Sequence, residues 1–363
     1  MTTSDLPPIL DAHLDLSLNA LEWNRDLRLE IDRLREGEAS LSDKVDRGHG
    51  VVSFPEMRKA NTQICVATQI AGCPRTVCPV GAWSSPEQAW AQTQGQLAWY
   101  RAMEDLGELS PITTKEELDR HRTRAKQSIR EPAIGYVRSL EGADSLRTLN
   151  DFETAWNDGL RALGPAHYGP GRYANGTDAE GGFPESGKHL LKLMDEVGCI
   201  LDVTHLTDAC FDEALELYSG PIWASHSNAR TLVPHQRQLS DEQIRRLTAR
   251  GSVIGVVLDA WMLAPDWIRG ESNPETMAVS LSTVADHIEH ICQISGSATY
   301  VGLGTDLDGG FGDEQCPSDV KRYSHLTSLQ GILEERGFSA THVRAILFDN
   351  FASFLSQALP ASA

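Results

Sequence analysis

No stretch of this chain reaches the run of about 18 apolar residues that a membrane-spanning helix needs, so no membrane partner is expected. The opening MTTSDLPPIL has neither a basic leader region nor an apolar one, and a cytoplasmic location is expected. Basic side chains are scarce: 32 Lys and Arg stand against 51 Asp and Glu, for a formal net charge of −19. A surface of that sign repels polyanions, which argues against a nucleic-acid partner, although one Arg in a cleft can still hold a small anion at short range. The seven cysteines (Cys65, Cys73, Cys78, Cys199, Cys210, Cys292 and Cys316) are odd in number, scattered and without a CxxC pair, so a disulfide scaffold is not expected. Cys73 and Cys78 share a Pro-containing loop, where free thiols are favoured over thiolate ligands. No Gly-rich phosphate turn follows an early strand, which removes the main signature of a doubly wound nucleotide fold. Internal repeats and low-complexity segments are absent too.

What remains is an ordinary globular composition, 40% hydrophobic and 23% charged, over 363 residues. Apolar runs bounded by turn residues predict eight strands, at 7–16, 62–71, 133–140, 160–163, 199–203, 222–225, 252–258 and 299–304. Helical patterns opened by capping residues lie between them: 85–107 after Ser-Pro-Glu, 114–128, 184–196, 207–218, 240–251 and 277–295. The first excursion reads as polar and irregular, with a charged segment from Trp23 to Arg35 able to hold a short helix. Strand and helix alternation of this kind, without a linker, predicts an α/β fold, a (β/α)8 TIM barrel. The whole chain, 1–363, is expected to form one catalytic barrel with loop excursions at about 17–50 and about 70–131.

The chemistry collects where strands end. Asp11-Ala12-His13-Leu14-Asp15 closes the first strand, and two-residue alternation predicts that Asp11, His13 and Asp15 share a face. Glu141 ends the third strand, His205 the fifth, His226 the sixth and Asp306 the eighth. In a closed parallel barrel all these ends meet at one mouth. Each residue alone is unremarkable, since a strand-end Glu is usually solvated and a lone His usually serves a local hydrogen bond. Together they would crowd unpaired polar groups into one place unless a cation held them, so the set predicts a metal site.

The segments His13-x-Asp15, Glu141-Gly142, the strand-end His205, Ser225-His226-Ser227-Asn228-Ala229-Arg230 and Gly304-Thr305-Asp306-Leu307-Asp308-Gly309 resemble those of the renal (membrane) dipeptidase family, peptidase family M19 of the amidohydrolase superfamily. The resemblance spans almost the whole chain with its motifs in order. It implies a metallo-dipeptidase with two divalent metal ions, zinc by preference: His13 and Asp15 on one, His205 and His226 on the other, and Glu141 bridging both in place of a carboxylated lysine. It also implies Asp306 as general base, taking a proton from the attacking water and passing it to the leaving amine. Arg230 matches an arginine that holds the substrate's C-terminal carboxylate, with a surface Arg in a turn as the other reading. His167 follows the fourth strand, where the family places a histidine on the substrate carbonyl. The Gly-Pro-Gly-Arg-Tyr insertion after His167 departs from better-known members, and Arg172 and Tyr173 either face substrate or brace the loop.

The expected partner is thus a small peptide, with tolerance of a C-terminal D-residue and a homodimer both known for the family. Two rival functions use the same residues: a metal-dependent amidohydrolase acting on another amide, lactone or β-lactam, and a non-catalytic metal-binding homologue. His49, His121, His189, His235, His287, His290, His325 and His342 are read as solvated or local side chains. Asp308 supports the site or merely closes a turn before Gly309-Gly310.

Overall fold

The computed structural model describes residues 6–73, 82–125 and 132–362. Eight parallel strands run in the order β7-β6-β5-β4-β2-β1-β9-β8, with β3 paired outside that path on β4. They are β1 (Ile9–Leu14), β2 (Thr62–Ile70), β3 (Leu109–Pro111), β4 (Ile134–Glu141), β5 (Leu160–Gly164), β6 (Ile200–Asp202), β7 (Ile222–Trp223), β8 (Ile254–Val256) and β9 (Val301–Leu303). A bridge from Ala224 to Ile254 joins the two ends of the order, and the strands form a TIM barrel. Every strand expected from the sequence is present, and β3 is the addition. Cys78 lies outside the described residues, as do parts of the 70–131 excursion. No helix among the described residues is long and apolar enough to cross a membrane.

Two apolar layers hold the barrel. Inside it, Leu10, Ala12, Ile64, Val66, Val137, Ala162, Ile200 and Trp223 form one buried cluster with Phe348, Phe351, Ala352 and Leu355, so the C-terminal helix Asn350–Ala358 plugs the end away from the site. Outside it, the helices Pro86–Asp105, Leu149–Asn157, Glu185–Val197, Asp208–Leu217, Asp241–Ala249 and Leu281–Ser295 pack their buried faces on the strands. Most begin where side chains dictate: Ser85, Thr207, Ser240 and Ser280 each accept an N–H of the first turn. Ser280 as cap also explains why the last long helix starts at Leu281 rather than 277.

The excursion after β1 is more ordered than its polarity suggests. It holds the helices Leu16–Glu22, Ile31–Glu38 and Phe54–Lys59, and buried Arg25 ties the first two together through Asn19 and Glu38. Arg25 bonds Glu38 through Nε (2.9 Å) and Asp46 through Nη2 (3.1 Å), a charged hub that replaces the apolar core so polar a segment lacks. Asp308 anchors this excursion, accepting the N–H groups of Val51 (2.9 Å) and Val52 (2.8 Å), and so serves structure rather than the site.

Between β7 and β9 the strands approach unusually closely. A Cβ on Gly255 or Gly304 would collide with the Ser225 carbonyl oxygen, which is why only glycine fits there. Beyond the Ala224 bridge, the Asn228 side chain continues the seam: its Nδ2 donates to the Val257 carbonyl (3.0 Å) and its Oδ1 accepts the Val257 N–H (3.1 Å).

Candidate metal centre

In β1, residues 11 to 14 stand against only 65 to 67 of β2, so one extra residue bulges the strand. Leu10 and Ala12 point into the barrel, and the bulge turns His13 into the mouth while Asp11 stays behind. Asp11 therefore does not share the face of His13 as alternation predicts. It accepts from Thr305 N (2.8 Å), Thr305 Oγ1 (2.6 Å) and Tyr323 Oη (2.9 Å), fixing the chain just before Asp306.

Glu141 sits at the centre. Its Oε2 lies 3.4 Å from His13 Nε2, while its Oε1 lies 3.1 Å from His205 Nε2 and 3.4 Å from His226 Nε2. Asp15 Oδ1 and Asp306 Oδ1 stand 4.0 Å and 3.8 Å from His13 Nε2. His205 and His226 converge with their Nε2 atoms 3.3 Å apart. Three groups of potential ligand atoms arise: His13, Glu141 and His226; Glu141, His167 and His205; and His13, Asp15 and Asp306. The expected ligands and Asp306 are thus brought into one cluster.

The rings are aimed from behind. Ser225 Oγ meets His226 Nδ1 at 2.9 Å and His13 Nδ1 at 3.3 Å, and Thr177 Oγ1 meets His205 Nδ1 at 2.9 Å, leaving each Nε2 to face the centre. His205 (φ 69°) and Asp306 (φ 57°) both hold left-handed backbone, a strain that clusters at functional sites.

Burial and crowding shape the charges. Burial lowers the His205 and His226 pKa values well below the ordinary histidine range, helped by the Arg237 charge, and both rings are neutral donors of a lone pair. Burial opposes a proton on His13 as well, yet Glu141, Asp15 and Asp306 overrule it and push His13 up to about 10. Asp15 is raised to about 7 by burial and by the Glu141 charge. Burial also raises Asp306 well above the carboxylate range, with Asp15, Glu141 and Asp259 adding to it. His13 Nε2 and Asp15 Oδ1 are buried without a hydrogen-bond partner. Crowded carboxylates, the neutral His205 and His226 and the unpartnered His13 Nε2 and Asp15 Oδ1 are a donor set that a pair of divalent cations would satisfy, the His13 proton leaving as a cation takes its place.

Two sequence assignments fare differently. His167 joins the centre, its ring 4.7 Å from that of His205. Arg230 does not: it pairs with Asp208 (Nη2 to Oδ1, 2.7 Å) and bonds the Gln238 carbonyl through Nε (2.9 Å), turned toward the helix Asp208–Leu217. The cation that faces the site is Arg237, 4% exposed, which sequence reading missed. Its Nη1 donates to Ser227 Oγ (3.2 Å), its Nη2 to the His226 carbonyl (2.9 Å), and its buried Nε has no partner. Only the fold of the loop after β7, with Arg230 N bonded to Leu239 O and Leu239 N to Asn228 O, tells the two arginines apart.

Further residues have structural posts. Arg172 donates to the carbonyls of Asp144, Leu146 and Arg147, and Tyr173 Oη to that of Leu146, so both brace the loop. His287, expected on a solvated face, is buried, and its Nδ1 accepts the Ala229 N–H (3.1 Å). Helical spacing alone placed it outside, and the loop packed over it places it inside.

Comparison with known proteins points to one family. The chain is 26% identical over 231 residues to the dipeptidase tcpJ of Claviceps purpurea, covering 61% of this chain and 51% of that protein. It thus spans about half the length of that relative. A solved dipeptidase AC, a metallo peptidase of family M19, superposes with a TM-score of 0.80 at 22% identity, covering 98% of this chain and 99% of that one. A Rhodobacter sphaeroides metallo peptidase, liganded with a phosphinate mimic of the dipeptide L-Ala-D-Ala, gives 0.77 at 21% identity, covering 98% and 100%. The family model for the membrane dipeptidases matches residues 4–362, and the chain belongs to that family, peptidase family M19.

Proposed function

We propose that this chain hydrolyses dipeptides bearing a free C-terminal carboxylate, with two zinc ions as its cofactor. The observation that carries the reading is the divided Glu141 carboxylate, one oxygen toward His13 and the other toward His205 and His226. His13 and Asp15 would hold one ion, His205 and His226 the other, and Glu141 both. Bound there, the pair would lower the pKa of water and polarise the scissile carbonyl.

The remaining work falls to the chain's own side chains. Asp306, beside His13 at 3.8 Å, takes the proton from the attacking water and returns it to the departing amine. His167, neutral because burial lowers its pKa, faces the carbonyl oxygen as a hydrogen-bond donor. Arg237 rather than Arg230 binds the carboxylate, its orphaned Nε supplying the unmet donor. The L-Ala-D-Ala mimic in the Rhodobacter sphaeroides relative supports including C-terminal D-residues among the substrates.

The test is a panel of L,L and L,D dipeptides offered to zinc-reconstituted protein, with metal content measured alongside. Turnover that rises with loading to two metals per chain is expected. Full loading with no dipeptide cleaved would reject the activity.

A further inference from the structure

Beyond the end of β8 stands a carboxylate that the reaction above does not use. Asp259 is 5% exposed. Its Oδ1 accepts Gln315 Nε2 (2.7 Å), and its Oδ2 faces Arg269 Nη2 at 4.0 Å. Around the barrel, β8 lies between β7, whose following loop carries Arg237, and β9, whose following turn carries Asp306. Asp259 therefore follows the strand that lies between the one leading to Arg237, proposed to hold the substrate carboxylate, and the one leading to Asp306, proposed to protonate the leaving amine. A dipeptide held with its carboxylate at Arg237 and its leaving amine at Asp306 would turn the side chain of its C-terminal residue toward this strand end. The Asp259 charge is also felt at Asp306 and at Tyr168, whose ring stands 5.3 Å from that of His205, so this wall borders the metal centre.

We propose that Asp259 reads the side chain of the substrate's C-terminal residue and selects a cationic one, lysine or arginine; this rests on the dipeptidase reading above. The protein itself displays what fits. Arg269 lays its guanidinium 5.3 Å from the centre of the Trp261 ring while facing Asp259, and Trp261 is held edge-on by His235 at 5.1 Å. A buried carboxylate beside an aromatic face is a cation-binding arrangement. Arg269 occupies it loosely, with 60% of its side chain exposed and 4.0 Å from its buried partner, a long contact whose cation end is free to yield to a competitor. A substrate lysine or arginine would displace it. A neutral side chain would leave the carboxylate facing an apolar group, a poorer match.

The experiment compares kcat/KM for Ala-Lys, Ala-Leu and Lys-Ala in the two-metal wild type, Asp259→Asn and Arg269→Ala. The wild type should prefer Ala-Lys over Ala-Leu by about tenfold or more, and Asp259→Asn should abolish that preference. Arg269→Ala, which removes the internal competitor, should raise kcat/KM for Ala-Lys about two- to fivefold and leave Ala-Leu within a factor of about two. Opposite signs for the two variants distinguish substrate reading from a structural ion pair, whose loss would move both alike and on every substrate. That common shift, or a basic preference residing in Lys-Ala instead, would overturn the assignment. Turnover of dipeptides without any basic preference rejects it alone, whereas an inert wild type rejects the dipeptidase reading with it. Arg269 is exposed, so its variant carries the test even if Asp259→Asn disturbs the fold.

Discussion

Arg237 donates from Nη2 to the main-chain carbonyl of His226 at 2.9 Å, so the cation facing the site is fastened to the backbone of a candidate metal ligand. Removing the charge should be felt in substrate affinity rather than in metal content. Arg237→Met is expected to lower kcat/KM for dipeptides by about 100-fold or more, mostly through KM, because a charge-assisted contact to a carboxylate is lost. Arg230→Ala should change kcat/KM by less than about threefold and cost at most about 1 kcal/mol of stability from its partly exposed pair with Asp208. Steady-state kinetics and denaturant melts on the two variants check this, and the reverse ranking would restore Arg230 to the site.

The proposed role of Asp306 as proton acceptor is what separates catalysis from metal holding. Asp306→Asn keeps size and shape but cannot take up a proton, so kcat should fall by about 100- to 10,000-fold while two metals remain bound. Elemental analysis beside the assay decides it: undiminished turnover would deny Asp306 the proton, and no turnover even in wild type would favour a metal-binding homologue without activity.

The proposed sharing of Glu141 between two metals would make them unequal under mutation. His13→Ala removes a ligand from one side only, leaving His205, His226 and Glu141 on the other. After dialysis against a mild chelator, bound metal should drop from two per chain toward one, and loss of both or neither would contradict the assignment.

His287 gives a pH signature away from the metal ligands. Burial and the neighbouring His290 charge push it down to about 3, and it accepts the Ala229 N–H. In the unfolded chain it titrates near 6.5, so below that pH the unfolded state takes up a proton that the folded state refuses. Stability should therefore fall as pH drops from about 6.5 toward 3, with this residue contributing up to about 1.4 kcal/mol per pH unit. His287→Gln, whose amide oxygen can still accept the Ala229 N–H, should flatten that slope in denaturant titrations at pH 4, 5.5 and 7. An unchanged slope would show that the ring is protonated without cost.

Barrel strands are buried on both sides and read as apolar runs, and their C-terminal ends are where polar ligands break the run, so the eight strands and the clustered His13, Asp15, Glu141, His205, His226 and Asp306 were legible from residues alone. Sequence could not show what depends on how loops fold back. Arg230 and Arg237 follow the same histidine, and only the pairing of Leu239 with Asn228 turns one outward and the other in. Asp11 looked equivalent to His13 because a bulge between them leaves no mark in the pattern. Of the first excursion only a short helix in its charged segment was legible, because a buried arginine, not an apolar stripe, holds Asn19 of the helix Leu16–Glu22 to Glu38 of the helix Ile31–Glu38.

The seam between β7 and β8 has a consequence for how the protein breathes. Three backbone hydrogen bonds span it, Ala224 N–H to Val253 O (3.2 Å), Gly255 N–H to Ala224 O (2.8 Å) and Ser227 N–H to Gly255 O (2.7 Å), together with the two Asn228 contacts, and His226 and Arg237 both emerge just beyond. A metal held by His226 and by Glu141 on β4 would tie this edge of short strands to the far wall, so chelation would act as a clasp on the cylinder. Emptying the centre should quicken amide exchange first at Ser227 and Val257, before the better-laced strands β2 and β4 register any change.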